Sequence, residues 1–366
     1  MGPGTLRTLG TLEGRLGTVT STLQGEEAAV LAAVRGGDES AFAALAERYR
    51  RQLQVHCYRM VGSYEDAEDL VQETFMRAWR APNTFEGRSL VRTWLYRIAT
   101  NACLNALTRT PRRLLPPDVT PAPADPRADP RAAPSMSPEL PWLQPYPDRL
   151  LEPAAPSETE PEAVAVSRET IELAYLAAIQ YLPPRQRAVL ILRDALGWPA
   201  RDVASLLEMT IPAANSALQR ARSTLRAHLP SGRAGWAPPT SPSAEERAVL
   251  QRYLDCHERE DPEALAALLR EDARLTMPPI SGWYLGREAI VTLISGCFSP
   301  DFGHLRAVPT GANRQPAVAW YLRRPGDTAH RALTMDVLRV EGGQIAEITA
   351  FVFPHLFPAF DLPPAL

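Results

Sequence analysis

The chain has 36 prolines, gathered mainly at positions 111–161 and again at 230–242, and this most constrains what its 366 residues can fold into. Proline lacks an amide hydrogen and clashes with the preceding helical turn, so neither stretch suits a long helix or an interior strand. Both read as extended connectors. The Ala-, Leu-, Val- and Arg-rich sequence around them then forms parts of ordinary domain size. The expected organisation is a flexible N-terminus at 1–24, a helical module at 25–113, a linker at 114–161, a second helical module at 162–229, a short linker at 230–242 and a third module at 243–366.

A formal net charge of −3 does not by itself mark a nucleic-acid binder. All 39 basic residues are arginine, many of them between 48 and 113 or between 185 and 226. GC-rich codon usage accounts for that, and so would selection for guanidinium contacts to phosphate or guanine. Cys57, Cys103, Cys256 and Cys297 form no CxxC pair, and the six histidines show no ligand spacing, so neither a metal, a disulfide framework nor a cofactor is expected. The first 22 residues hold no signal-type apolar core, and nowhere do about 18 apolar residues run together. A cytoplasmic protein without a membrane partner is expected.

In the first module Val30, Leu31 and Val34, then Phe42, Leu45, Tyr49 and Leu53, recur at helical spacing. Residues 63–80 form another helix, with Glu65, Asp66, Glu68 and Asp69 near its N-terminus, where the helix dipole favours negative charge. Pro82, Asn83 and Gly87 break the pattern around Phe85 before a third helix at 90–107. That helix carries Arg92, Trp94, Tyr96, Arg97, Asn101 and Asn105, the side-chain types that stack on unpaired bases, hold phosphates and read base edges. Alternatively Trp94, Leu95, Ile98 and Ala102 are simply core and the arginines are solvated.

In the second module helices are expected at 164–181, 184–196, 199–207 and 212–229, with Pro184, Pro199 and Pro212 at their starts. The turn at Leu196-Gly197-Trp198 and the apolar face of Val203, Leu206 and Leu207 suit a helix-turn-helix, or equally a bundle of short helices. Within the first connector, residues 141–151 (PWLQPYPDRLL) are too apolar for a plain spacer. They either pack on a domain or order transiently. The third module reads as helices at 244–259, 262–269 and 286–294, then strands at 304–308, 317–323, 332–340 and 344–353, with a Glu341-Gly342-Gly343 hairpin turn. Helices followed by antiparallel strands make an α+β domain. The fold class is therefore multidomain: two all-α helical domains and one α+β domain.

The runs at 66–79 (DAEDLVQETFMRAW), 85–88 (FEGR) and 92–104 (RTWLYRIATNACL) closely resemble region 2 of extracytoplasmic-function (ECF) sigma factors of the sigma-70 family. The runs at 182–187 (LPPRQR) and 216–222 (SALQRAR) resemble region 4. The third module, with Tyr253-Leu254, the run at 286–290 (GREAI), and those at 313–321 (NRQPAVAWY) and 345–356 (IAEITAFVFPHL), resembles a SnoaL-like, or nuclear transport factor 2-like, cone. The resemblance implies partners: bacterial core RNA polymerase, through its beta-prime clamp helices and beta flap, and promoter DNA. Asp69, Gln72, Glu73 and Phe75 would dock on the clamp helices. Asn83, Phe85, Arg88, Trp94, Arg97 and Asn101 would engage the −10 element. Ala213, Asn215, Ser216, Gln219 and Arg220 would face the −35 element, with Arg222 nearer phosphate or core. Relatives often carry a bulky aliphatic residue at position 214 and a basic one at 215 or 217; Ala214, Asn215 and Ala217 depart from this, and fewer cations imply a weaker salt dependence.

By the same resemblance the cone regulates the sigma regions through an intramolecular contact. Trp283, Tyr284, His304, Trp320, Asp336 and Phe351 would line an apolar pocket for a small ligand, unless Trp320 and Phe351 close the core and Asp336 faces solvent. No acid and base are spaced for chemistry, so no catalysis is expected. The alternatives are a ligand-sensing transcription regulator and a hydrolase- or isomerase-type enzyme fused to a DNA-binding module.

Overall fold

The structure is a computed structural model that describes residues 29, 32–85, 90–110, 112–120, 123–125, 136–151, 171–229 and 242–366. The expected N-terminal segment, Arg88, the linker at 230–241 and the start of the helix at 164 lie outside the described residues.

The first module is a bundle of α1 (Glu39–Val61), α2 (Tyr64–Arg80) and α3 (Val91–Ala106). Asp38 caps α1 by accepting from the amides of Ser40 and Ala41, and Ser63 caps α2 by accepting from that of Asp66. Between them Gly62 ends α1 at φ 69°, the left-handed conformation glycine adopts most cheaply. Leu53, Cys57, Leu70, Trp94, Leu95 and Ala99 form the buried seam.

The first connector contains a single helical turn, α4 (Pro116–Val119), and is folded into the protein. The Leu114 amide donates to the Pro141 carbonyl at 2.8 Å, and the Leu143 amide donates to the Leu114 carbonyl at 3.0 Å. Trp142, Leu143 and Tyr146 are each at most 3% exposed and belong to one continuous core with the helical modules. Of the two readings left open for 141–151, the segment therefore packs, because its apolar side chains find the neighbouring modules to bury against.

The second module comprises α5 (Leu173–Ile179), α6 (Pro184–Leu190), which runs into a π-helical stretch over Ile191–Ala195, α7 (Ala200–Leu206) and α8 (Ile211–His228). Thr210 caps α8 by accepting from the Ala213 amide. Ala214, Ala217, Leu218 and Ala221 bury one face of α8, which packs against α6 and α7.

The third module opens with α9 (Ala244–Glu258) and α10 (Pro262–Leu268), followed by β1 (Leu269–Met277), β2 (Ile280–Leu285), α11 (Arg287–Gly296), β3 (His304–Ala312), β4 (Gln315–Arg323), β5 (Arg331–Glu341) and β6 (Gln344–Phe351). The strands form one sheet in the order β2-β1-β6-β5-β4-β3, with β1 and β6 parallel and every other pair antiparallel. Strands β1 and β2 are absent from the sequence reading. The charged run at 270–274 hides β1, whose strand partner β6 lies some 70 residues downstream.

Both faces of this sheet are covered. Alternation along β4 and β5 sends Val318, Trp320 and Leu338 into the cone under the helices, while Ala317, Ala319, Tyr321, Met335 and Val337 join the core shared with the sigma-like modules. An antiparallel sheet commonly leaves one face in water. Here the second face is where the other modules sit.

Candidate nucleic-acid interface

On α8 the residues opposite the buried face, Ala213, Asn215, Ser216, Gln219 and Arg220, are all exposed along one side of the helix. Arg222 is different. Its guanidinium makes a bidentate ion pair with Asp194 at 2.7 and 2.9 Å, which raises its pKa further. The pair ties α8 to the π-helical stretch, so of the two places expected for Arg222, phosphate or core, its guanidinium is engaged within the protein.

On α3 Arg97 and Asn101 are exposed one turn apart, and Asn83 is exposed on the short 3-10 turn before it. Phe85 and Trp94, which the resemblance assigned to the −10 element, are 8% and 2% exposed and pack edge to face at 5.7 Å; for Trp94 this is the core placement the sequence also allowed. The Trp94 indole donates to the Thr84 hydroxyl at 3.1 Å. These two rings anchor the loop that presents Asn83. On α2 Asp69 and Gln72 are exposed and Glu73 pairs with Arg77. Phe75 is only 7% exposed and packs edge to face on Phe42, so it is core rather than a docking residue. Met76, four residues on from Gln72 along α2, is a large apolar side chain 50% exposed that the sequence reading did not single out.

The six residues proposed to line a cone pocket do not come together. Trp320 and Asp336 do: the Asp336 carboxylate accepts from the Trp320 indole at 2.7 Å and the Tyr253 hydroxyl at 3.0 Å. Burial pushes the Asp336 pKa up to about 6, and it does not face solvent. Tyr284 lies in the same cone core. Trp283 faces the connector, its indole donating to the Thr120 carbonyl. Phe351 lies on the outer sheet face, and His304 is exposed at the sheet edge. The sequence reading missed His257, whose ring packs on Trp320 at 4.6 Å with the planes tilted by 38°, and whose pKa burial lowers to about 4. It also missed Cys297, whose thiol burial and the Asp336 charge push up to about 11. Among the described residues no cluster of His, Cys, Asp and Glu could hold a metal ion, and no helix is long and apolar enough to cross a membrane.

The modules meet at the β3–β4 hairpin turn, where Asn313 and Arg314 both have φ 57°. Asn313 is fully buried. Its side-chain oxygen accepts from the Tyr146 amide at 2.8 Å, and its own amide donates to the Tyr146 carbonyl at 2.9 Å. Its side-chain nitrogen donates to the Tyr58 hydroxyl of α1 at 2.9 Å and to the Ile171 carbonyl ahead of α5 at 2.8 Å. Gln315 accepts from the Leu173 amide at 3.0 Å. Arg187 of α6 is fully buried and donates to the Met60 carbonyl at the end of α1 at 2.6 Å; burial lowers its pKa to about 10.

An exposed, capped helix on a helix-turn-helix, a three-helix bundle with a polar face, and a cone joined to both define the class of protein. Residues 45–113 match the family model for Sigma-70 region 2, residues 172–225 that for Sigma-70, region 4, and residues 250–348 that for a SnoaL-like domain. The chain is 44% identical over 333 residues to the ECF RNA polymerase sigma factor SigG of Mycobacterium tuberculosis, covering 91% of this chain and 86% of that protein. It is 30% identical over 192 residues to the RNA polymerase sigma-H factor of Pseudomonas aeruginosa, covering 52% of this chain and 88% of that one. The crystal structure of the Mycobacterium tuberculosis extracytoplasmic function sigma factor SigJ superposes with a TM-score of 0.55 at 20% identity, over 88% of this chain and all of that one. The chain belongs to the ECF sigma factors of RNA polymerase, and it carries a SnoaL-like domain behind regions 2 and 4.

Proposed function

We propose that this alternative sigma factor acts in the cytoplasm, docks on core polymerase through the α2 face of Asp69, Gln72 and Met76, and reads promoters with two surfaces. Arg97, Asn101 and Asn83 meet the −10 element; Asn215, Ser216, Gln219 and Arg220 meet the −35 element. The cone performs no chemistry in this reading. It sets the relative placement of regions 2 and 4, and the single observation that carries this is Asn313, one buried side chain bonded to region 2, the connector and the entry to region 4.

Run-off transcription with core polymerase, using the full chain and an Asn313→Ala variant, tests it. Transcripts from the same start sites at different rates support the reading. If the full chain starts none on any promoter mapped in its host, the polymerase and promoter roles fail. If both proteins start at equal rates, the regulatory role of the joint fails.

A second reading, in which the cone senses a small molecule, is favoured by the buried Asp336, Tyr253, Trp320 and His257 cluster. Tritiated or fluorescent apolar ligands retained by the full chain but not by Asp336→Leu would support it.

A further inference from the structure

The arginines on the cone strands fall into two groups. Arg270 pairs with Asp272 and Glu341, Arg274 with Glu347, and Arg339 with Glu341 and Glu347. Arg306, Arg323, Arg324 and Arg331 gather instead at one end of β3, β4 and β5, and none of them is ion-paired among the described residues. Asp301 and Asp327, the acids nearest to them in sequence, are exposed and engage none of the four.

The strand register fixes how this cluster is laid out. His304 stands directly opposite Arg323, and Arg306 opposite Tyr321. Alternation therefore sets His304, Arg306 and Arg323 on the sheet face that carries Tyr321, the face on which the other modules sit. They occupy its far end, since the nine residues of β3 span about 30 Å from here to the Asn313 turn. His304 and Arg306 are exposed there. Arg306 is diagonal to Arg323, at the backbone separation of about 7–8 Å where long side chains still interact. Burial, and then the charges of Arg323, Arg306 and His304, lower the pKa of the neighbouring His330, and no carboxylate opposes them.

Like charges on adjacent strands are destabilising, and here the chain supplies nothing to neutralise them. The counter-charge comes from outside. The cluster is spread over three strands on an open surface, which fits an extended polyanion rather than a single small ion, and guanidinium groups bridge phosphate oxygens through two bonds. The polyanion that a promoter-binding chain meets is the duplex itself.

We infer that this end of the cone sheet is a third DNA-contacting surface, on which Arg306 and Arg323, flanked by Arg324 and Arg331, hold the phosphate backbone of the promoter duplex without reading its sequence. It rests on the promoter binding proposed above for regions 2 and 4.

The test uses holoenzyme assembled from core polymerase and the full chain, with fluorescence anisotropy of a labelled promoter duplex over a salt series. The double variant Arg306→Gln/Arg323→Gln is compared with the wild type and with two controls. Arg306→Lys/Arg323→Lys keeps both charges, and Arg252→Gln/Arg259→Gln removes two exposed charges at α9 and its C-cap. The expected result for the first Gln pair is weaker binding and a slope of log K against log salt smaller by about two, since each neutralised phosphate contributes about 0.9. The slope should change equally on a duplex whose −35 element is scrambled, because phosphate contacts carry no sequence information. The Lys pair and the α9 pair should keep the wild-type slope. Thermal unfolding of the Gln pair should be no earlier than that of the wild type, because the substitutions relieve repulsion at exposed positions. A Gln pair with the wild-type slope overturns the surface. Titration of each labelled chain against core polymerase without DNA identifies the other partner: if the Gln pair loses affinity for core but keeps its salt slope on DNA, the cluster meets an acidic protein surface and the DNA contact is excluded. If the wild-type holoenzyme binds no promoter mapped in its host, the promoter reading fails and this surface with it; if it binds and the Gln pair is unaffected, this surface alone fails.

Discussion

The side chain of Asn313 donates to the Tyr58 hydroxyl at 2.9 Å across 255 residues of chain, joining the turn of the cone sheet to the first helix of region 2. The hydroxyl passes the bond on to the Gln144 carbonyl of the connector at 2.8 Å. Tyr58→Phe removes both links without changing the packed volume. Asn313 keeps its partner Ile171, so the expected loss is that of one buried network bond, about 1–3 kcal/mol. Asn313→Ala should cost more, because it also orphans the Tyr146 amide. Thermal unfolding of the two single variants and the double variant checks this. The double variant should melt higher than the two separate losses add up to, since both remove the same bond.

Arg220 and Arg222 sit two residues apart on α8 and should behave oppositely. Arg220 is exposed on the promoter-facing side, while Arg222 is committed to Asp194. Arg220→Ala should weaken binding to −35 DNA and reduce the slope of log K against log salt by about one. Arg222→Ala should leave that slope unchanged and lower the stability of region 4 by about 0.2–1 kcal/mol, the range for a half-exposed pair. Asp194→Ala should match Arg222→Ala in both assays. Fluorescence anisotropy over a salt series, paired with thermal melts, measures the difference.

The helical modules were largely legible because their apolar residues repeat at helical spacing and prolines mark helix starts, as Pro184 and Pro212 do. Burial between elements of one module was not legible. Phe75 and Trp94 lie on helices that also carry exposed polar residues, and nothing in their spacing says that Phe42 and Phe85 will cover them. Strand β1 was missed because its pairing with β6 is set by distant sequence. In the cone, period-two alternation could have separated Trp320 from Tyr321, or Asp336 from Met335, onto opposite faces. Only the fold shows that Tyr253 and His257, on a helix far upstream, close over Asp336.

Asp336 and His257 make opposite demands on pH. The Asp336 pKa is raised from 3.8 to about 6, so the folded state holds the proton longer than the unfolded chain. Its contribution is fully present below about pH 4 and is lost as pH rises through 6, a change of about 3 kcal/mol. The His257 pKa is lowered from 6.5 to about 4, so its contribution is fully present above 6.5 and is lost as pH falls through 4, by a similar amount. The two slopes nearly cancel within the cone. Subtracting wild-type stability from that of a variant removes the background from other groups, including His56, whose pKa burial lowers to about 3. Between pH 4 and 6.5 the difference for Asp336→Asn should therefore rise with pH, and that for His257→Gln should fall. Melts at half-unit pH steps read both; parallel curves for the two variants would remove the opposed pair.

Leu143 tests whether the connector is structural. It is 1% exposed, and its Cδ1 lies 3.0 Å from where a Cβ on Gly62 would stand, so it fills the space left by the glycine that ends α1. Leu143→Ala opens a cavity against α1, the connector and region 4 at once, and buried Leu→Ala changes cost about 2–5 kcal/mol. Met136, on the same connector and 56% exposed, is the control; Met136→Ala should change stability by less than about 0.5 kcal/mol. Gly62→Ala approaches the same contact from the other side. An added methyl group would press on Leu143, Arg113 and Gln180 at 3.0–3.1 Å while the backbone stays at φ 69°, so it should destabilise beyond the left-handed strain of about 1 kcal/mol alone. Combining the two changes discriminates between packing and strain. If Leu143→Ala makes room for the new methyl group, the double variant recovers part of the loss and the contact is steric; if the losses simply add, the cost at Gly62 is backbone strain and Leu143 acts through its own burial.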